Sequence, residues 1–130
     1  MPDPAWSAAR SILAIRLDNL GDVLMTTPAL AALKAAVPGR RVTLLASSVG
    51  AQAAAYVPCI DGVIRYDPPW MKSLPRDGAE FDGAMIEHLA AGCFDAAIVF
   101  TVCTQSALPA ATLAYLAGIP LRLARSRENP

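Results

Sequence analysis

Short apolar runs alternate with longer Ala- and Leu-rich segments along this chain of 130 residues, and this alternation constrains the fold more than any other feature. Five runs have the length and the branched side chains of buried strands. They span residues 12–17, 41–46, 63–67, 95–100 and 121–124. The segments between them are typical of helices. Strands that alternate with helices predict an α/β fold with a parallel sheet.

The predicted sheet is Rossmann-like, with flanking helices and the strand order 3-2-1-4-5. Ligands of such sheets bind beyond the carboxyl ends of the strands, at the point where the strand order reverses. That point lies between the first and fourth strands. The polar elbow at residues 18–22 and the loop at residues 101–106 are therefore expected to face each other across a crevice. The candidate binding residues of the loop are Thr101, Gln105 and Ser106.

The segment after the first strand allows two helix starts. Asp22 could cap a first turn, or Thr27 could be the N-cap with Pro28 at the next position, where proline is tolerated. Proline in mid-helix removes a hydrogen bond, so we expect a break or a bend at Pro28. Further helices are predicted at residues 51–56, 79–92 and 107–118, the last of them capped by Ser106.

Composition excludes several classes of protein. Lys and Arg balance Asp and Glu at 11 each, so no global charge points to nucleic acid. No run reaches the ~20 apolar residues of a membrane-spanning helix. His88 is the only histidine and the three cysteines form no metal-binding motif, so no metal site is predicted. Residues 1–11 are interpreted as a flexible tail and residues 12–130 as one domain.

The elbow carries two carboxylates, but it has neither a GxGxxG fingerprint nor a Walker loop. Asp22 stands at a helix entrance, where the helix dipole favours an anion. An ionised carboxylate in a crevice can take a proton from a hydroxyl group as a general base. The alternative is that Asp22 only caps the helix, although a capping box would need Glu or Gln where Met25 stands. Asp18 is interpreted as a turn or cap residue.

The loop after the third strand offers a second binding surface. Trp70 and Met71, together with Lys72 and Arg76, could grip an anionic and partly apolar ligand. The alternative is a solvated loop that its tryptophan anchors.

Residues 15–47 closely resemble the N-terminal start of glycosyltransferase family 9, the ADP-heptose:lipopolysaccharide heptosyltransferases. Their sequence is IRLDNLGDVLMTTPALAALKAAVPGRRVTLLAS. The most specific blocks are Leu20-Gly21-Asp22-Val23 and Thr27-Pro28-Ala29-Leu30. Residues 60–67 and 106–122 resemble the same family in the same order. Asp18 and Asn19 stand where heptosyltransferases of the first type usually carry small hydroxyl residues.

This resemblance implies the N-terminal half of an inverting, metal-independent GT-B glycosyltransferase with no cofactor. In the family, the N-terminal domain binds the acceptor and the C-terminal domain binds the nucleotide-sugar, here an ADP-sugar. The family's catalytic base falls on Asp22, and Asn19 and Gly21 would shape the approach to it. Family members are much longer than this chain, so the donor-binding domain is expected to lie outside it and the chain alone is expected to be inactive.

The partners that the resemblance implies are that C-terminal domain and a lipid-linked glycan acceptor, with no nucleic acid. It also implies lipopolysaccharide biosynthesis for a bacterial cell envelope, in the cytoplasm or peripherally at the cytoplasmic face of the inner membrane. Two alternatives stay open. One is a non-catalytic Rossmann-like module that binds an anionic glycan or nucleotide, and the other is a nucleotide-dependent enzyme of another kind, which the missing glycine-rich loop disfavours.

Overall fold

The computed structural model of the protein describes residues 3–71, 79–102 and 104–125. Its centre is a five-stranded sheet in the order β3-β2-β1-β4-β5, with every neighbouring pair of strands parallel. The strands are β1 (Ser11–Arg16), β2 (Arg41–Ala46), β3 (Gly62–Arg65), β4 (Ala96–Val99) and β5 (Leu121–Ala124). The predicted fold class and strand order are confirmed. Only the ends of β1, β3 and β4 differ from the prediction, by one or two residues.

The central strand shows why the apolar runs are continuous rather than alternating. Leu13 and Ile15 of β1 pack into the core on one face of the sheet, while Ile12 and Ala14 are buried on the other. A strand that is covered by helices on both faces must be apolar at every position. Arg16 is the first charged residue of this strand, and it stands at the carboxyl end, where the site lies.

Two helices, rather than one, connect β1 to β2. They are α2 (Leu20–Met25) and α3 (Thr27–Ala36), so the predicted interruption before Pro28 is confirmed. Both predicted caps are wrong, because Asn19 is the N-cap of α2 and Thr26 is the N-cap of α3. Asp22 occupies the third position of α2, and its Oδ2 accepts a hydrogen bond from the backbone N–H of Asn19 at 3.2 Å. Asp22 is thus the acid of a capping box, not its first residue.

The remaining helical segments complete the crossovers. A 3₁₀ helix (Gly50–Tyr56) follows β2, α4 (Ala79–Ala91) precedes β4, and α5 (Leu108–Leu116) precedes β5. Ala107 rather than Ser106 is the N-cap of α5. Ser106 still contributes to the helix start, because its Oγ accepts a hydrogen bond from the N–H of Leu108 at 3.2 Å. No helix among the described residues is long and apolar enough to cross a membrane.

Part of the predicted tail has regular structure, since Pro4–Ala8 form a short helix, α1, and β1 already begins at Ser11. Arg40 holds this segment. Its guanidinium is buried and donates to the carbonyl oxygens of Ala9 (2.8 Å), Trp6 (2.5 Å) and Leu33 (3.1 Å). A buried cation needs such acceptors, and burial lowers the pKa of Arg40 below its ordinary value. A local sequence pattern could not reveal these contacts, because Arg40 is distant in sequence from the segment that it holds.

Aspartates fix the strands at the amino-terminal end of the sheet. Asp95 accepts hydrogen bonds from the N–H groups of Arg10 and Ser11, at 2.8 and 2.9 Å. Asp61 accepts one from the N–H of Val42 at 2.8 Å and forms an ion pair with Lys34 at 2.5 Å. These contacts fix the starts of β1 and β2.

Candidate active site

A small crevice opens at the carboxyl ends of β1 and β4, where the strand order reverses. Its walls come from the elbow after β1, the loop after β3, the end of β4 with the loop that follows, and α5. The lining residues are Ile15, Leu17, Asp18, Trp70, Met71, Val99, Phe100, Thr101, Gln105, Ser106 and Ala110. The structure therefore brings together the elbow and the 101–106 loop, as the strand order predicts.

The polar wall consists of the three loop residues singled out in the sequence. Thr101 is half-buried, whereas Gln105 and Ser106 are exposed. Hydroxyl and amide side chains of this kind hydrogen-bond to the hydroxyl groups of a ligand. The structure places them in one crevice, which makes their predicted role in binding geometrically consistent.

An aromatic ring lies in the same crevice. Trp70 meets Tyr66 edge to face, with the ring centroids 6.1 Å apart, and the Tyr66 hydroxyl donates to Asp82 Oδ1 at 2.7 Å. Tyr66 is buried, so Trp70 rests on a fixed neighbour. An indole beside polar groups can pack on the apolar face of a ring whose edge carries hydroxyls. Lys72 and Arg76, the predicted cations of this loop, lie outside the described residues.

The side chain of Arg16 connects the two carboxylates of the elbow. Its Nε lies 3.0 Å from Asp18 Oδ2, and its Nη2 lies 3.4 Å from Asp22 Oδ1. The exposed fractions of the three side chains are 12% for Arg16, 6% for Asp18 and 28% for Asp22. Sequence reasoning did not include Arg16 in the site. The available signal was a single cation at the end of an otherwise apolar central strand.

Asp18 has a different role from the one predicted. Its carboxylate contacts Arg16 and lines the crevice, whereas the helix N-cap is the next residue, Asn19. Burial raises the pKa of Asp18 above its ordinary value; the guanidinium of Arg16 acts in the opposite direction, and the negative charge of Asp22 adds to the rise. A turn residue at the surface would show neither the burial nor this competition of charges.

Asp22 combines the two interpretations that the sequence left open. It accepts the N–H of Asn19 as a helix-capping acid, and it is also the most accessible member of the ion-paired cluster. It does not line the crevice, contrary to expectation, because Asp18 occupies that position and Arg16 lies between the two carboxylates. Capping is therefore observed, while any chemical role of Asp22 depends on the function of the site.

The two glycines near the elbow differ in what surrounds them. At Gly21, a Cβ atom would meet nothing within 4 Å, so the fold leaves open space beside Asp22. At Gly50, a Cβ atom would lie 3.0 Å from Val23 Cγ2 and 3.2 Å from the carbonyl oxygen of Asp18. A side chain at residue 50 would therefore push the 3₁₀ helix and the elbow slightly apart. Neither Asn19 nor Gly21 lines the crevice.

Ser47 fixes the elbow from the end of β2, another contact that sequence reasoning missed. Its Oγ donates to the carbonyl oxygen of Asp18 at 2.8 Å and accepts from the N–H of Gly50 at 3.0 Å. The backbone of Asp18 is held in place by this hydroxyl while its carboxylate is held by Arg16. Across the described part of the chain, no group of three or more His, Cys, Asp or Glu side chains is arranged to hold a metal ion.

The fold and the position of the crevice define a Rossmann-like domain with a candidate ligand-binding site. No protein-family model matches the chain. A curated Haemophilus influenzae protein described as "Putative glycosyltransferase" is 36% identical to it over 113 residues, which are 87% of this chain and 30% of that protein.

Several solved structures share the fold of this chain. A glycosyl transferase family 9 protein from Veillonella parvula matches with a TM-score of 0.69 at 23% identity, over 89% of this chain and 32% of that one. E. coli ADP-heptose lps heptosyltransferase II matches with a TM-score of 0.69 at 19% identity, over 88% and 30%. E. coli heptosyltransferase WaaC with ADP-2-deoxy-2-fluoro heptose matches with a TM-score of 0.64 at 24% identity, over 91% and 38%.

These matches confirm the resemblance to glycosyltransferase family 9, with the fold of the N-terminal part of its heptosyltransferases. The chain spans between 30% and 38% of the length of these relatives.

Proposed function

We propose that this chain is the acceptor-binding domain of an inverting GT-B glycosyltransferase with Asp22 as its general base. The enzyme would transfer heptose, or a similar sugar, from an ADP-sugar to a lipopolysaccharide-core-type acceptor. The observation that carries the proposal is the position of Asp22. It is a partly exposed carboxylate at the carboxyl end of the central strand, inside the sequence block that resembles family 9.

The reaction requires one proton to be moved as one bond forms and another breaks. The acceptor hydroxyl oxygen attacks the anomeric carbon, its proton passes to Asp22, and the bond from that carbon to the nucleoside diphosphate breaks. Removal of the proton as the oxygen attacks makes the hydroxyl a better nucleophile. Asp22 Oδ2 is held by the N–H of Asn19 and Oδ1 by Arg16, so the carboxylate has a fixed direction. The open space at Gly21 leaves room for an acceptor beside it.

The crevice suits the acceptor rather than the nucleotide. Trp70 offers an apolar surface to a sugar ring, and Thr101, Gln105 and Ser106 offer hydrogen bonds to its hydroxyl groups. The described loops present no glycine-rich phosphate cradle, which supports donor binding by a second domain of the same protein. Lys72 and Arg76 stay predicted contacts for anionic groups of the acceptor.

The proposed acceptor also indicates where in the cell the enzyme works. A lipid-linked glycan lies at a membrane surface, so we place the enzyme in the bacterial cytoplasm or peripherally at the inner membrane, without a cofactor. The structural relatives support an ADP-activated sugar as donor, since two of them carry ADP-heptose or an ADP-heptose analogue in their descriptions.

The substitution Asp22→Asn in the full protein tests this function. The amide can still accept the hydrogen bond from Asn19, so folding is preserved, but it cannot take a proton. We expect turnover to fall by about 10²–10⁴-fold, measured as ADP release from ADP-heptose with a lipopolysaccharide-core acceptor. Asp61→Asn is the matched control, because it removes a carboxylate at the opposite end of the sheet and leaves kcat unchanged. Wild-type turnover in Asp22→Asn would overturn the role of Asp22.

A further inference from the structure

The ion-paired cluster of Arg16, Asp18 and Asp22 contains more charge than a single general base needs. Two carboxylates share one guanidinium, so the cluster carries a net charge of −1 when both are ionised. The contacts are unequal: Arg16 lies 3.0 Å from Asp18 but 3.4 Å from Asp22. The buried carboxylate, and not the exposed one, has the closer contact with the cation.

No other described cation competes for Asp22. The elements packed against α2 are α3 and the 3₁₀ helix, and Arg16 at the end of β1 contacts Asp22. Within α3 the charged residue is Lys34, which is paired with Asp61 on another side of the molecule. Within the 3₁₀ helix the titratable residue is Tyr56, which is 82% exposed. Among the described residues, Arg16 is therefore the one cation within ion-pair distance of Asp22.

We propose that Arg16 and Asp18 are positioning residues for Asp22. Arg16 orients the Asp22 carboxylate, and Asp18 binds the same guanidinium more closely, so that Asp22 shares the cation instead of pairing with it alone. This proposal rests on the proposed function, in which Asp22 is the general base.

The physical reason lies in the competition for one cation. A carboxylate that is paired one-to-one with a guanidinium is stabilised in its charged form and becomes a weak base. A second carboxylate on the same guanidinium weakens that stabilisation and adds repulsion. Asp18 is suited to this role because its backbone oxygen accepts a hydrogen bond from the Ser47 hydroxyl and its side chain is 6% exposed.

The coupling between the two carboxylates must be equal in both directions, since it is a free energy shared by two binding sites for protons. It can therefore be measured at Asp18. Burial raises the pKa of Asp18, Arg16 lowers it and Asp22 raises it. Removing the charge of Arg16 or of Asp22 should therefore shift the pKa of Asp18 in a known direction.

The first experiment titrates the Asp18 carboxyl group by NMR in the full protein, with ¹³C-labelled aspartate. Asp22→Asn removes a negative charge and should lower the pKa of Asp18, whereas Arg16→Gln should raise it. Arg16→Lys keeps the cation but cannot contact both carboxylates at once, and it replaces Arg16→Gln if that variant does not fold. In the Arg16→Lys background, Asp22→Asn should change the pKa of Asp18 by a smaller amount. Asp61→Asn is the control that leaves Asp18 unchanged. An Asp18 titration that is unaffected by Asp22→Asn would overturn the proposed coupling.

The second experiment measures the pH dependence of kcat. Asp18→Asn should move the acidic limb of the profile to lower pH and reduce kcat by about tenfold, with KM little changed. Arg16→Gln should move the acidic limb to higher pH. A merely structural role would lower the amount of folded enzyme without moving either limb.

The outcomes separate this inference from the proposed function. If Asp22→Asn is inactive while Asp18→Asn has the wild-type profile, Asp22 remains the base and the positioning role is wrong. If Asp22→Asn is fully active, the proposed function of Asp22 is wrong, whatever the titration of Asp18 shows.

Discussion

Aspartate residues take opposite roles at the two ends of this sheet. Hydrogen bonds from Lys34, and from the backbone of Val42, lower the pKa of Asp61, while burial raises the pKa of Asp18. Asp61 therefore stabilises the fold when it is ionised. Asp18 costs stability when it is ionised, because the folded state binds its proton more tightly than the unfolded state does. A residue that costs stability and lines a crevice is a candidate for function rather than for folding.

The stabilising role of Asp61 gives a pH-dependent prediction. Its folded-state pKa is lower than its unfolded value, so its contribution is present above the unfolded value and is lost as the pH falls through the folded one. Asp61→Asn should lower the free energy of unfolding by about 1 kcal/mol at pH 7, a modest value because solvent screens the ion pair. The difference from wild type should disappear in strong acid.

Urea unfolding at pH 7 and at low pH measures this contribution. Glu87→Gln, on the exposed surface of α4, is the control and should change stability little at either pH. An equal loss in Asp61→Asn at both pH values would show that its charge is not the cause.

At the scale of elements, the close approach of the 3₁₀ helix to the elbow keeps the site in place. Gly50 permits this approach, and Ser47 links the two segments by hydrogen bonds. The carbonyl oxygen of Asp18 lies in the same contact and cannot move without moving the buried carboxylate. The geometry of the charged cluster therefore depends on a glycine that is not part of it.

Gly50→Ala should destabilise the protein by about 1–2 kcal/mol, because the new methyl group meets backbone as well as side chains. Gly21→Ala is the matched variant: nothing surrounds that position, and alanine favours a helix, so stability should be unchanged or rise by up to about 1 kcal/mol. Urea denaturation of both variants measures the two changes in the free energy of unfolding. Equal stabilities would show that the contact at Gly50 is not tight.

The elements also show what the sequence could predict. Strands β2 and β5 have the predicted bounds, and the strand order is correct, because local apolar runs and the crossover rules determine them. Helix α1 was missed because Arg40, a distant residue, provides its contacts. The role of Asp18 was missed for a similar reason, since burial and the partner at Arg16 arise only when the elbow folds back on the strand end.

At the scale of the whole molecule, the described part of the chain forms a crevice at the carboxyl ends of the strands. Polar and aromatic side chains line the crevice, and the described loops include no glycine-rich segment of the kind that holds a diphosphate. The relatives are about three times as long as the matched region, and the proposed transfer reaction needs both substrates held together.

The chain alone should therefore bind the acceptor without transferring sugar. We expect a lipopolysaccharide-core glycan to perturb the NMR signals of Thr101, Gln105 and Ser106, and to leave those of His88 on α4 unchanged. ADP release from ADP-heptose should stay at the rate without protein. Sugar transfer by the 130-residue chain would contradict the proposal that a second domain binds the donor.

The interruption at Thr26 has a consequence for how such a domain can evolve. Thr26 closes α2 with a hydrogen bond from its Oγ to the carbonyl oxygen of Asp22 at 2.9 Å, and α3 begins with the next residue. The short α2 sets the direction of Asp22, while α3 alone covers the distance back to β2. Mutations that tilt or lengthen α3 to suit new neighbours can therefore accumulate without turning the Asp22 carboxylate.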